Sequence, residues 1–196
     1  MSFEINDEKL KVLKTVVRHA GEDASQMFTK WLRSDVTIKM DEINLVSFES
    51  IFGSLTDAPE VSVGLYMSTL DGVEGGVLFL FSEPVALNIV DMLIKKELGT
   101  SKEFTELEKS ALKETANIVG CAYINSLGKN LELKITPSQP IFIHDMTEAI
   151  FGSVLMEQAQ YQNEALFIKT ELNHKGSKLD FQFYFLPLIE KLSEKL

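Results

Sequence analysis

The chain has 196 residues, 45% hydrophobic and 24% charged, with a formal net charge of −10 and a single cysteine. That size and polarity lead us to expect a soluble globular protein, either one large domain or two small fused halves, with a core that needs no covalent staples. Cys121 stands alone, which excludes a disulfide within the chain and fits a reducing compartment.

Acidic residues outnumber basic ones 29 to 19, and no Lys/Arg cluster is longer than Lys95-Lys96. The balance argues against a nucleic-acid partner, which needs a basic footprint, and against docking on an anionic membrane. The longest run without a charged residue, 115–128, has 14 residues and includes two Asn and two Gly. A membrane span needs about 17–25 apolar residues. The amino terminus is acidic with no apolar run, so neither a secretory signal nor a transit peptide is expected, and the cytoplasm is the default.

Helical and strand periods alternate along the chain. Residues 7–32 predict a helix, with Leu10, Leu13, Val17 and Ala20 on one side and Asn6 or Asp7 as its cap. Val36, Ile38 and Met40 alternate as a strand, and a short apolar helix follows over 48–55. Val61, Val63, Leu65 and Met67 open a hairpin that turns at Asp71-Gly72 and returns through 77–81. A shorter helix covers 84–95. The same order then recurs. A long helix is predicted over 105–127, with Thr105 and Glu108 as a capping box and Gly128 as its stop. Leu131, Leu133 and Ile135 alternate as a strand, and 146–156 reads as a short helix. Leu166, Ile168 and Thr170 lead through a turn near Lys175-Gly176 into Leu179, Phe181, Phe183 and Phe185, with Asp180, Gln182 and Tyr184 facing the other way. A terminal helix over 187–195 closes the chain.

An internal duplication explains this order. Ile51-Phe52-Gly53-Ser54-Leu55 matches Ile150-Phe151-Gly152-Ser153-Val154 at an offset of 99, which also pairs Lys14 with Lys113 and Gly21 with Gly120. The expected organisation is a single domain spanning 1–196, built of two repeats at about 7–98 and 104–196. Neither repeat can bury its sheet face alone, so both should share one core.

One helix carries a polar stripe. At ~100° per residue, Ser110, Glu114 and Asn117 fall within about 60° of arc, and Cys121 continues the line. Leu112, Val119 and Tyr123 lie opposite, on the side expected to pack on the sheet. Such a stripe fits a solvated face, but Asn is a poor helix-interior residue with no packing reason to be there. Spacing separates the readings: Ser110, three residues, Glu114, two residues, Asn117, then 22 residues to Pro140.

This pattern resembles the signature of the CheC/CheX/FliY family of response-regulator phosphatases: Asp or Ser, three, Glu, two, Asn, twenty-two, Pro. The duplicated organisation is similar to CheC over nearly the whole chain. The resemblance implies a pseudo-twofold duplicated α/β (α+β) fold with long helices packed on antiparallel sheet. It also implies a hydrolase of the aspartyl phosphate on a CheY-like receiver, with a chemotaxis role in two-component signalling. By resemblance, Asn117 holds the attacking water, Glu114 pairs with a lysine of the receiver, Ser110 is a supporting contact and Pro140 shapes the chain beside the helix. No cofactor of the chain's own is implied; the magnesium belongs to the receiver.

The first half departs from the signature. Subtracting 99 gives Lys11, Thr15, Arg18 and Asp41, so the chain resembles a one-site version. That first helix reads as a solvated face left by drift or as a basic patch for an acidic partner. Competing sites are weak: His19, His144 and His174 have no metal-ligand spacing, and no phosphate-cradling Gly-rich loop follows a strand. Two further functions stay open. One is an adaptor for a CheD-type deamidase, with little catalysis. The other is a relative of the flagellar switch proteins, although the chain has no residues to spare for a rotor-binding domain.

Overall fold

The computed structural model describes residues 7–33, 36–54, 60–156, 158–160, 162–174, 177–188 and 192. In chain order the elements are α1 (Asp7–Leu32), β1 (Val36–Ser47), α2 (Phe48–Ser54), β2 (Val61–Asp71), β3 (Gly75–Ser82), α3 (Glu83–Leu93), α4 (Glu106–Asn130), β4 (Thr136–Pro137), β5 (Ile141–Met146), α5 (Thr147–Leu155), β6 (Glu164–His174) and β7 (Ser177–Pro187). A 3-10 turn at Gln158–Gln160 precedes β6.

All strand pairs are antiparallel, in the order β1-β6-β7-β3-β2-β4, with β5 also on β2. This order is a palindrome under the duplication. β3 and β7 are the central pair, β2 and β6 flank them, and β1 and β4/β5 form the edges. Each edge strand lies on the other repeat's hairpin: β1 on β6, and β5 on β2. The repeated Ile-Phe-Gly-Ser segments also meet. Ile51 and Ile150 are both buried, and the Phe52 and Phe151 rings stand edge to face at 6.4 Å.

Side chains alternate across the pleat, and both faces are covered. On one face, Val63, Leu65, Met67, Phe79, Phe81, Phe181, Phe183 and Phe185 pack against α1, α3 and α4. On the other, Leu78, Leu80, Tyr184 and Leu186 pack under Phe48 and Ile51 of α2 and Ile150, Phe151 and Val154 of α5. Tyr184 does face away from the phenylalanines, as the alternation predicts, but into this second core rather than water. Its hydroxyl donates to Gln182 Oε1 at 3.0 Å, and burial pushes the phenol well above its ordinary value.

Several sequence expectations need correction. β1 runs on to Ser47, with a register shift between Met40 and Glu42. The strand expected at Leu131, Leu133 and Ile135 is a loop. Glu132 N–H donates to the Lys129 carbonyl and Leu133 N–H to the Gly128 carbonyl, so helix-closing bonds take up groups that a ladder would use. The alternation arises because Leu131 and Ile135 are buried under the end of α4. The strands form later, at β4 and β5, separated by the segment containing Pro140, which cannot donate to a ladder. Gly128 is not a stop either. The helix continues to Asn130, and the left-handed residue is Glu132, with φ +54°. A Cβ at position 128 would meet the Leu133 carbonyl oxygen at 2.5 Å, so close approach requires the glycine. Asp7 is the first residue of α1, while the cap at Asn6, Leu55, the Lys175-Gly176 turn and most of the terminal helix lie outside the described residues. Leu192, which does not, is helical and buried, and its N–H donates to the Leu188 carbonyl.

Candidate functional site: the polar stripe on α4

The start of α4 is fixed by its own side chains. The Thr105 hydroxyl donates to the Glu108 carboxylate, which is buried. That bond holds Glu108 below the ordinary carboxylate range against the opposing effect of burial, with a smaller contribution from Lys96. The expected pair is therefore present, although no bond runs from the Thr105 hydroxyl to the helix backbone. Upstream, buried Asp91 at the end of α3 accepts the N–H groups of Thr100 at 2.8 Å and Ser101 at 3.0 Å, fixing the linker that enters α4.

α4 packs beside α1. Ser126 Oγ donates to Asp23 Oδ2 at 2.6 Å, and Trp31 Nε1 donates to Thr115 Oγ1 at 3.2 Å. Leu112, Val119 and Tyr123 are buried against the sheet, with the Tyr123 ring 4.7 Å from that of Phe183. That leaves the opposite side free. Ser110 and Glu114 are exposed, and Asn117 and Cys121 are half-buried.

Within the stripe, Cys121 Sγ donates a weak bond to Asn117 Oδ1 at 3.5 Å. Burial, and then the Glu114 charge, pushes the thiol up, so it stays protonated at neutral pH and able to donate. Glu114 has no salt bridge among the described residues. A carboxylate and an amide one turn apart, both reachable from solvent, can together take a cation and a water. Pro140 is not on this stripe. It is half-buried and lines a groove of about 910 Å³ beside α4, with Lys109 and Lys113 on the helix side and His144 on the strand side. His144 Nε2 and Glu83 Oε2 are 2.9 Å apart across this groove, and the Phe104 ring stands edge-on to the imidazole at 5.1 Å.

The structure thus brings Ser110, Glu114 and Asn117 onto one face and places Pro140 on its flank. The groove and the indole of Trp31 escape sequence reasoning. Trp31 and Thr115 are 84 positions apart, and no local periodicity announces such a contact. Among the described residues no group of three or more His, Cys, Asp or Glu side chains gathers as a metal site, and no helix is long and apolar enough to cross a membrane.

No protein-family model matches the chain. Over 190 residues it is 27% identical to the CheY-P phosphatase CheC of Bacillus subtilis, an alignment covering 94% of this chain and 89% of that protein. The solved structure of FliY from Thermotoga maritima has a TM-score of 0.80 at 17% identity, covering 98% of each chain. These likenesses support a CheC/CheX/FliY family. Two more solved structures share this fold. A chain of the CheX–CheY–BeF3–Mg complex from Borrelia burgdorferi has a TM-score of 0.55 at 17% identity, covering 88% of this chain and 96% of that one. A chain of the FliG–FliM complex from H. pylori reaches 0.67 at 16%, covering 97% and 100%.

Proposed function

We propose that the chain hydrolyses the aspartyl phosphate of a phosphorylated CheY-like receiver in the cytoplasm, working as one domain of two repeats, about 7–98 and 104–196. The observation that carries this reading is the solvent-facing acid–amide pair Glu114 and Asn117 on α4, in a chain 27% identical to a CheY-P phosphatase. The exchange of edge strands between the halves supports the single-domain reading.

The substrate dictates what the helix must supply. An aspartyl phosphate is an activated acyl phosphate, and the receiver's own magnesium offsets its charge. Water attacks phosphorus, the bond from phosphorus to the aspartyl oxygen breaks, and the products are a free carboxylate, inorganic phosphate and a proton. The gain comes from holding that water in line. The Asn117 amide suits this task because its oxygen accepts from water and brings no charge near the phosphoryl group. The Cys121 bond occupies only one of the two lone pairs of Oδ1. Glu114, one turn earlier, pairs with a cation of the receiver, a lysine by the family signature, and sets the angle of approach. Ser110 lies one turn further along the same contact line, and Pro140 shapes the β4–β5 edge beside it.

The test is loss of phosphoryl label from CheY-type receivers of the same organism, with and without the purified chain. Wild type should accelerate it. Asn117→Ala should lose at least about 100-fold of the stimulation while melting at or slightly above the wild-type temperature, since Ala is the better helix former. Wild-type activity in Asn117→Ala would overturn the mechanism.

A second reading is favoured by the likeness to FliM in a complex with FliG. On that reading the chain is a binding module, for a flagellar switch component or a CheD-type protein, with little turnover. Capture of such a partner without any acceleration of receiver dephosphorylation would support it over the first.

A further inference from the structure

Trp31 is the single tryptophan of the chain and the penultimate residue of α1. It is 43% exposed, an unusual amount for so large an apolar side chain. It is also held in place. Its Nε1 donates to Thr115 Oγ1 at 3.2 Å, and that hydroxyl donates in turn to the Ala111 carbonyl at 2.9 Å. Part of the entropy lost on immobilising this side chain is therefore already lost in the free protein.

Its anchor lies beside the polar stripe. Thr115 directly follows Glu114. At ~100° per residue, the surface of α4 passes from Glu114 to Ala111 in about 60° and from Ala111 to Thr115 in about 40° more. The indole bonded to Thr115 therefore stands on the Glu114 side of the stripe, about 100° around the helix from Glu114, while Asn117 faces about 160° away from Thr115. Leu107, 64% exposed, lies two turns before Glu114 and only about 20° from its line. An acid and an amide bordered by a fixed tryptophan and an exposed leucine have the composition of a binding hot spot.

We propose that Trp31, together with Leu107, forms the apolar part of the docking surface for the phosphorylated receiver, packing on the receiver's surface next to its phosphoaspartate while α4 reaches the phosphoryl group. This inference rests on the phosphatase reading, because continuity with the Glu114/Asn117 stripe is what names the occupant. Trp31 is a binding residue and touches no reacting atom.

A lone tryptophan makes the test direct. The chain labelled with 5-fluorotryptophan gives one fluorine resonance. Titration with a CheY-type receiver of the same organism, activated by beryllium fluoride and magnesium, should shift or broaden that resonance, and the unactivated receiver should do so only at higher concentration. Trp31→Ala should raise KM for the phosphorylated receiver about 10-fold with kcat within about twofold, and Leu107→Ala should act in the same direction. Trp31→Phe keeps the ring and loses the Thr115 bond; it should recover most of the KM, which a purely structural role of that bond would not allow. If the wild type dephosphorylates the receiver while the resonance stays still and neither Trp31→Ala nor Leu107→Ala changes KM, the docking role is overturned and the phosphatase stands. A wild type that neither binds nor dephosphorylates any such receiver overturns both.

Discussion

Glu114 and Asn117 stand three residues apart, but the fold treats them differently. Glu114 projects into solvent, whereas Asn117 is half-buried and tethered through Oδ1 to Cys121. Their substitutions should differ accordingly. Glu114→Ala should weaken docking as well as turnover, and it should be non-additive with removal of the receiver lysine it pairs with. Additive losses in that double-mutant cycle would argue against a direct contact. Asp91 acts further back. Burial raises its carboxyl, but bonds from Ser101, Thr100 and Gly99 outweigh burial and hold it below its ordinary value of 3.8. Because the folded value is the lower one, the charged form adds stability that is complete above the unfolded value and is lost as pH falls through the folded one. Asp91→Asn should cost about 2 kcal/mol near neutral pH, since an amide nitrogen would face backbone N–H donors. Urea melts of both proteins should converge as pH falls below 3.8. A gap independent of pH would rule the charge out as the cause.

At the scale of elements, α1 and α4 do the same packing work with different outer faces. Lys11, Thr15 and Arg18 are exposed on α1, and the Thr15 hydroxyl turns back to the Lys11 carbonyl. The bonds from Trp31 to Thr115 and from Ser126 to Asp23 show the two helices running antiparallel, which sets Thr15 level with the far end of α4, roughly 25 Å along the axis from Glu114. A receiver seated on Glu114 is therefore remote from this second stripe. Lys11→Ala and Arg18→Ala should leave turnover within about twofold, because surface charges at that distance are largely screened. Residual activity in Asn117→Ala that disappears only when Lys11 or Arg18 is also changed would show a second catalytic route on α1. The long helices were legible because each buries one continuous stripe. The segment 131–135 misled because an alternating loop over a core edge has the same period as a strand, and only the bonds of Leu133 and Glu132 back to α4 distinguish the two.

The whole molecule depends on exchange between its halves. Among the described residues β1 pairs only with β6, and β5 only with β2, so each repeat's edge strand is completed by the other repeat's hairpin. The two copies of the Ile-Phe-Gly-Ser helix likewise pack on each other. A chain of residues 1–99 should therefore show no cooperative urea transition as a monomer, since β1 would have no ladder and the apolar faces of α1 and α2 no cover. A sharp monomeric transition in that half would contradict a shared core.

The amino-acid order by itself determined the helices and hairpins, the duplication and the stripe of Ser110, Glu114 and Asn117, because these depend on periodicities of 3.6 and 2 and on an offset along one chain. The tertiary structure decided which halves exchange strands, that Tyr184 is covered by α2 and α5, and that Trp31 is fastened to Thr115 beside the stripe. These are meetings of residues far apart in sequence. Their free energy comes from surfaces and hydrogen-bonding groups that become neighbours only once the sheet has closed, so no local period can encode them.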